Sequence, residues 1–504
     1  MNQLKAGAAL NYFVIFLNTL VGLLYTPYML RMLGQSEYGL YSLVASVISY
    51  LTILDLGFGN AIVRYTAKFR AEGKQTEQYE MFGMFFLLYI IIGVIVLIAG
   101  SALYFNVDII FGNTMTSTEL EKAQVMLLLL IFNLAFTFPM SIWGSIITAY
   151  ERFVFPRVLT IIRVVLNTIV MICLLHMGYK ALALVVVQTL FNVLTLVLNF
   201  IYCKRELKIK VYFRNFQWVF LKEVAIYSFW IFLNAIMDRI YWSTGQFVLG
   251  TTISTAAVAV FAIAIQLEHM YMQFSSSISS VFLPKVTSMV ATCNDRNEIS
   301  DLFIRTGRIQ FIVMSLILSG FIVFGKQFIL LWAGPGYEDA YIISLLFFIS
   351  LLIPLIQNLG ITILQARNEM KFRSLLYIGI ALLALVFQVV LAKQYEGIGC
   401  AVAVAGALLL GQGLIMNIYY QKKQGIDIAT FWREILKMSI VPVLITSLFV
   451  YIVSCFEINS WFNWIIGVGI FSVIYIPLFY IFSMNSYEKG LFIAPMKKLF
   501  ARSV

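Results

Sequence analysis

Charge is scarce in this chain. Asp, Glu, Lys and Arg make up only 12% of its 504 residues, about half the share of a soluble globular domain. That leaves too little polar surface for a water-soluble enzyme. Histidine is nearly missing, with two residues, which argues against a zinc or haem centre built on imidazole ligands. The five cysteines, Cys173, Cys203, Cys293, Cys400 and Cys455, show neither paired nor metal-ligand spacing. They read as small apolar residues, and no metal or cofactor is expected. Long polar loops are absent too. The longest runs between apolar stretches, about residues 106 to 122, 203 to 218 and 284 to 308, are short or amphipathic. Function must therefore sit in the apolar part.

That part dominates: 61% of the residues are hydrophobic. About 20 apolar residues span the hydrocarbon core, and since backbone polar groups cannot stay unpaired in lipid, such stretches must be helices. Fourteen are legible, near residues 9 to 30, 39 to 61, 82 to 105, 123 to 148, 155 to 176, 180 to 202, 219 to 249, 256 to 283, 309 to 325, 341 to 364, 374 to 393, 397 to 420, 435 to 455 and 461 to 483. The fold class is thus an all-α integral membrane protein. The first stretch lacks a strongly basic start and an A-x-A cleavage site, so it is expected to stay in the membrane.

Orientation follows from Lys and Arg, which favour cytoplasmic loops. With the N-terminus inside, Arg64, Lys68, Arg70 and Lys74, then Arg152 and Arg157, then Lys204 to Arg214 fall on one side, and so do most of the 35 basic residues. No loop contradicts this, so both termini are expected in the cytoplasm. The net charge of +11 then reflects topology and attraction to anionic membrane lipids, with no need for nucleic acid.

The chain repeats itself. Residues 147 to 202 register without gaps on residues 364 to 419, 217 positions later: Phe155 meets Phe372, Ile161 meets Ile378, and Ile201-Tyr202 meets Ile418-Tyr419. Leu33-Gly34 after the first span likewise matches Leu249-Gly250 after the seventh. Six helices per copy is an even number, so the copies share one orientation and are related by a twofold axis along the membrane normal. The expected organisation is an N-terminal six-helix bundle over residues 1–210, a second over 211–425, and two further helices with a tail over 426–504.

Charge inside the spans is costly and marks candidate function. Asp55 lies in the second span, Arg163 in the fifth, Asp238 and Arg239 in the seventh, and Glu268 with His269 in the eighth. Each is either half of a structural ion pair or part of a water-filled path. Asp238 and Arg239 point roughly 100° apart and cannot be assumed to satisfy each other. The eighth span also carries Gln266, His269, Gln273, Ser276 and Ser280 at helical spacing, with Ser275 and Ser279 beside them. The first carries Asn11, Asn18 and Tyr25 at seven-residue intervals. Such stripes are either passage lining or hydrogen-bonding glue between helices. In "LDLGFGNAIVRY" the glycines Gly57 and Gly59 follow Asp55 and suit a helix that bends there, as Pro27 suits a bend in the first span. Arg64 at one cytoplasmic mouth and Lys285 at the equivalent place in the second copy would attract a phosphate, or else anchor their helices in the positive-inside sense.

The stretches "LGQSEYGLYSLV", "LDLGFGNAIVRY" and "DRIYWSTGQFVLG" followed by "VAVFAIA" resemble the bacterial polysaccharide-repeat flippases, exporters of O-antigen and capsule units within the multidrug/oligosaccharidyl-lipid/polysaccharide exporter superfamily. The resemblance implies a transporter, not an enzyme, which moves an undecaprenyl-diphosphate-linked oligosaccharide to the outer leaflet of the bacterial inner membrane by alternating access, coupled to a proton or sodium ion. Arg64, Arg163, Arg239 and Lys285 are then the candidates for substrate binding. Asp55, Asp238, Glu268 and His269 are those for cation coupling. The chain is expected to act as a monomer beside polysaccharide polymerase and export components. A lipid II flippase shares the fold and is separated only by substrate. A drug/cation antiporter would have twelve helices and a less basic interior. A polysaccharide polymerase or ligase would display a large external loop.

Overall fold

The computed structural model describes residues 3–214, 218–292, 296–367, 369–456 and 458–491. In chain order the helices are α1 (Gln3–Leu33), α2 (Gln35–Leu51), a 3-10 turn (Thr52–Asp55), α3 (Phe58–Ala71), α4 (Gln75–Phe105), α5 (Val107–Phe111), α6 (Ser117–Ala149), α7 (Val154–His176), α8 (Ala181–Arg205), α9 (Trp218–Trp242) and α10 (Thr244–Thr252). They continue with α11 (Thr255–Thr292), α12 (Arg296–Trp332), α13 (Asp339–Ile356), α14 (Leu359–Ala366), α15 (Met370–Leu408), α16 (Met416–Tyr419) between two π-helical segments, α17 (Ile428–Ser454) and α18 (Trp461–Phe482).

Each of the fourteen predicted stretches is helical over most of its length. Among the described residues, twelve helical stretches are long and apolar enough to cross a membrane. One of them, the 55 residues Met370–Gln424, is interrupted at Glu396 (φ 48°, ψ −130°), so it folds into two segments each about long enough to cross. Another 25 helical residues form α9. The protein is a multi-pass membrane protein of about fourteen spans. The main difference from the sequence reading is length: the ninth span, expected over 309 to 325, lies within the 37-residue α12. Hydropathy stops where Asp301, Arg305 and Arg308 begin, but the backbone ladder continues as an amphipathic helix.

The chain divides into two compact units, residues 1–262 with 389–397 and residues 263–388 with 398–504. In the first unit, α1 packs on α7, α7 on α8, α8 on α2 and α2 on α1, which closes a ring of four helices; α4, α6, α3, α9 and α10 pack around it. Close approach is bought with small residues. A Cβ at Gly39 would overlap the Thr255 carbonyl, so only glycine lets the start of α11 lie against α2. Polar ties hold the end of the unit where α2 starts. Glu37 is 9% exposed, pairs with Lys122 and accepts from the Ala181 amide at 3.3 Å. Glu119 accepts from Ser36 at 2.5 Å and Thr255 at 2.9 Å.

In the second unit α12 is the hub, packed against α13, α14, α17 and α18. Arg308, 5% exposed, donates to Glu488 at 2.6 and 3.0 Å, to Glu434 at 2.8 Å and to the Ser483 carbonyl at 3.3 Å. This network ties α17 and the segment after α18 to α12. Nothing in the sequence around Arg308 sets it apart from the other basic residues that flank the apolar stretches.

The repeat leaves a mark in each unit. Phe155 stacks on Tyr202 with centroids 4.0 Å apart and planes 14° apart, and Phe372 stacks on Tyr419 at 4.1 Å and 9°. These four residues are two pairs in the 217-residue register.

Candidate functional site

Helix formation fails in the middle of the second span, and Asp55 sits at the failure. The 3-10 turn ends at Asp55, then Leu56 (φ 52°) and Gly57 (φ 71°) both adopt the left-handed conformation before α3 begins at Phe58. Glycine does this freely, whereas for a leucine it costs roughly 1–2 kcal/mol, so packing must hold the break in place. It does. Tyr89 of α4, fully buried, donates its hydroxyl to Asp55 Oδ1 at 2.9 Å. Its ring lies stacked on Phe138 (6.2 Å, 16°) and edge-on to Phe58 (6.0 Å, 70°), and Phe58 also meets Phe85 (5.6 Å, 60°). The carboxylate is thus oriented by a neutral donor; among the described residues no ion pair holds it.

The other helix-bending candidates fall differently. Gly59 lies inside α3, where an added Cβ would approach Ser145 Oγ to 3.2 Å. Pro27 lies inside α1, whose helix runs unbroken to Leu33.

The first unit gathers most of the charged candidates. Asp238, exposed, and Arg239, half-buried, lie in the last turns of α9. That helix packs against the 3-10 turn, α3 and α2. Just beyond Arg239, Ser49 donates to Ser243 at 2.9 Å and Tyr50 shares a 2.5 Å hydrogen bond with Thr244, which fastens the end of α2 to the α9–α10 junction. Arg163 is half-buried near the middle of α7, and Arg64 is exposed on α3 with its guanidinium 5.7 Å from the Tyr65 ring centroid. Neither Arg163 nor Arg239 forms an ion pair among the described residues.

In the second unit Glu268 is fully buried in α11, and Nδ1 of the half-exposed His269 lies 3.2 Å from its Oε2. The side chain of Lys285, and that of Ser280, lie outside the described residues. The polar face of α11 splits in two. Ser275 and Ser279 are buried: Ser275 donates to the Leu355 carbonyl at 2.8 Å. The Gln310 amide, oriented with its nitrogen 3.0 Å from the Leu355 and Ile356 carbonyls, accepts from Ser279 at 2.5 Å. These contacts satisfy the carbonyls left open at the end of α13, so this half is glue. His269, Gln273 and Ser276, spaced at i, i+4 and i+7, are exposed. That half is accessible.

The sequence reading missed Tyr89, which sits in the apolar run "FLLYIII" and gives no periodic signal of its own. Only the fold brings it to Asp55.

The profile of the family described as polysaccharide biosynthesis protein matches residues 4–290, more than half of the chain and the stretch that holds all eight charged candidates. The chain belongs to this family. No curated protein matches it. Among solved structures, it is similar to the lipid II flippase MurJ in an inward closed conformation, with a TM-score of 0.71 and 16% identity over 94% of this chain and 98% of that one. It is also similar to an inward-facing multidrug resistance transporter of the MATE family in the MOP superfamily (0.64, 13%, 83% and 95%). A MOP superfamily transporter from Pyrococcus furiosus matches as well (0.58, 14%, 84% and 97%). At such identities these likenesses show the fold: that of the MOP-superfamily transporters.

Proposed function

We propose that the protein is a flippase for undecaprenyl-diphosphate-linked oligosaccharide repeat units, the precursors of O-antigen, capsule or a related polymer. On this reading it lies in the bacterial inner membrane with both termini in the cytoplasm, acts as a monomer without enzymatic chemistry, and supplies a polysaccharide polymerase and export components. The repeat boundaries at about 210 and 425 then separate two halves of an alternating-access device from a C-terminal helix pair.

The observation that carries this reading is Arg163. A guanidinium near the middle of a span costs several kcal/mol in lipid, yet this one has no acidic partner among the described residues. An anionic substrate passing that level would supply one. On this reading Arg239, Arg64 and Lys285 are the other substrate-binding cations, and the isoprenoid tail stays in the bilayer. Asp55 and Asp238, with Glu268 and His269, are the groups that bind the coupling proton or sodium ion. Asp55 suits this role because a phenol, not a cation, orients it.

The fold shared with a lipid II flippase favours one second reading, in which the same path carries lipid II. Expression in a strain lacking its repeat-unit flippase separates the two. We expect polymer to return with its normal composition, and Asp55→Asn, Asp238→Asn and Glu268→Gln each to lower output at least about tenfold or remove its dependence on the ion gradient. Tyr89→Phe deletes one hydrogen bond to a charged group, worth roughly 1.5–3 kcal/mol, and should give an intermediate loss. If all three acids can be neutralised with transport and gradient dependence intact, the coupling role is wrong. Rescue of peptidoglycan synthesis in place of polymer would move the assignment to lipid II.

A further inference from the structure

We propose that the first unit contains its own chamber for the hydroxyl-rich saccharide of the substrate, inside the ring of α1, α2, α8 and α7; this rests on the flippase reading and names the part of the substrate held there.

The helix faces define the chamber. On α8 the exposed apolar side chains Leu182, Val186, Leu190, Leu194 and Ile201 share one face at roughly 100° per residue. Gln188 and Asn192 fall on the opposite face, and Gln188 is nonetheless exposed. On α7, Val158, Ile162, Leu166, Ile169 and Ile172 are exposed, and Arg163 and Asn167 point the other way, each half-buried. On α1 the exposed face includes Phe13, Phe16, Leu20 and Leu24, and Asn18 and Tyr25 lie across from it. An exposed amide mid-span that faces away from the lipid stripe of its own helix faces water. Because the four helices close on one another pairwise, the polar faces turn toward a shared interior.

The contacts inside that ring suit a sugar. Tyr41 of α2 donates to Gln188 Oε1 at 2.9 Å, which orients the amide and leaves its NH2 for a ligand. The Tyr25 hydroxyl is buried without a hydrogen-bond partner. Asn192 turns instead to α6, where Asn133 at 2.7 Å and Thr137 at 2.8 Å satisfy it, and takes no part in the chamber. Apart from Glu37 in its first turn, α2 brings no carboxylate into the membrane part of the ring, and α1, α7 and α8 bring none. Amides, phenols and one guanidinium without acids suit hydroxyls and an anion better than a cation. The positions 217 residues on from Arg163, Asn167 and Gln188 are Ile380, Ala384 and Ala405, all buried. The second copy has filled the same space with apolar side chains.

The test uses the full chain in membrane vesicles of both orientations. Gln188→Cys, Asn167→Cys and Leu190→Cys variants are labelled with a charged methanethiosulfonate, and the unsubstituted chain gives the background of its own cysteines. We expect Gln188→Cys and Asn167→Cys to label at least about tenfold faster than Leu190→Cys. Adding diphosphate-linked oligosaccharide lipid from the host should slow labelling at Gln188→Cys at least threefold, and sugar-free undecaprenyl phosphate should not. Labelling no faster than at Leu190→Cys overturns the chamber. Equal protection by both lipids, or none by either, overturns its assignment to the saccharide while leaving the flippase reading in place. That reading fails separately, if deletion of the chain leaves polymer export unchanged whatever the labelling pattern.

Discussion

The two copies of the repeat keep the same joints and differ in what those joints enclose. Phe155–Tyr202 and Phe372–Tyr419 are nearly superimposable stacks by distance and tilt. Between the positions that make them, Arg163, Asn167 and Gln188 in the first copy become Ile380, Ala384 and Ala405 in the second. The second span differs as well: in the first copy it breaks at Leu56–Gly57, whereas α11 runs 38 residues without interruption. Duplication thus preserved the aromatic contacts that hold helix pairs together. The first copy has Arg163 between its joints and the break at Leu56–Gly57, whereas the second carries Arg239, the buried Glu268 and a left-handed Glu396 at other places in the register. Strain and buried charge persist only where the surrounding structure holds them, so the two copies hold theirs at different places.

Exchanging the residues across the register breaks this comparison most directly. Arg163→Ile writes the second copy's residue into the first. It should cut polymer export at least about a hundredfold, because an anion that has shed its water loses its partner, while thermal stability of the purified chain stays level or rises. Arg163→Lys should recover part of the activity. The reciprocal Ile380→Arg places a charge at a site 4% exposed and should lower the yield of folded protein. If Arg163→Ile exports normally, the difference between the copies carries no function.

How far all this was legible in the sequence depends on the range of the interaction. Spans, class and repeat follow from local hydropathy and a 217-residue register, so they were readable. Asp55, Arg163 and Glu268 were found because a charge in an apolar run is conspicuous by itself. What escaped was pairing across the fold. Tyr89 looks like any interfacial or core tyrosine until α4 lies beside the turn. Arg308 reads as a loop cation until Glu434 and Glu488, each more than a hundred residues away, reach it. Tyr41 and Gln188 are 147 positions apart. The split of the α11 stripe into glue and accessible halves needed to show which side meets Gln310. Periodicity gives a face; it does not say what stands opposite.

The shared joints offer a milder test. Phe155→Ala and Phe372→Ala each remove one aromatic stack, for which about 1 kcal/mol is expected beyond lost packing area. Because the two geometries match, the drops in thermal midpoint in detergent should agree within about 2 °C. A large inequality would mean that one stack is supported by its surroundings and that the register does not describe equivalent contacts.

The smallest effect concerns how each unit starts its helices. In the first, α6 begins with a capping box in which Thr116 accepts from the Glu119 amide at 3.4 Å and Glu119 accepts from the Thr116 amide at 2.9 Å. In the second, Asp427 caps α17 alone, accepting from the Thr430 amide at 2.9 Å. The Thr430 hydroxyl, then its amide, hold the Asp427 carboxyl below the usual carboxylate range. A group whose folded pKa is lowered stabilises fully above its unfolded value and loses that contribution as pH falls through the folded one. The cap is therefore intact at neutral pH and fades only under acid conditions. Asp427→Ala should cost about 1 kcal/mol at neutral pH and nothing further on acidification. Asp427→Asn, which can still accept from the amide, should cost a few tenths of a kcal/mol and abolish the acid-dependent part. Hydrogen exchange of the first turn of α17, measured across the carboxylate range in the natural chain and in both variants, reads this directly. Protection that does not depend on pH in the natural chain would show that the cap does not govern how α17 begins.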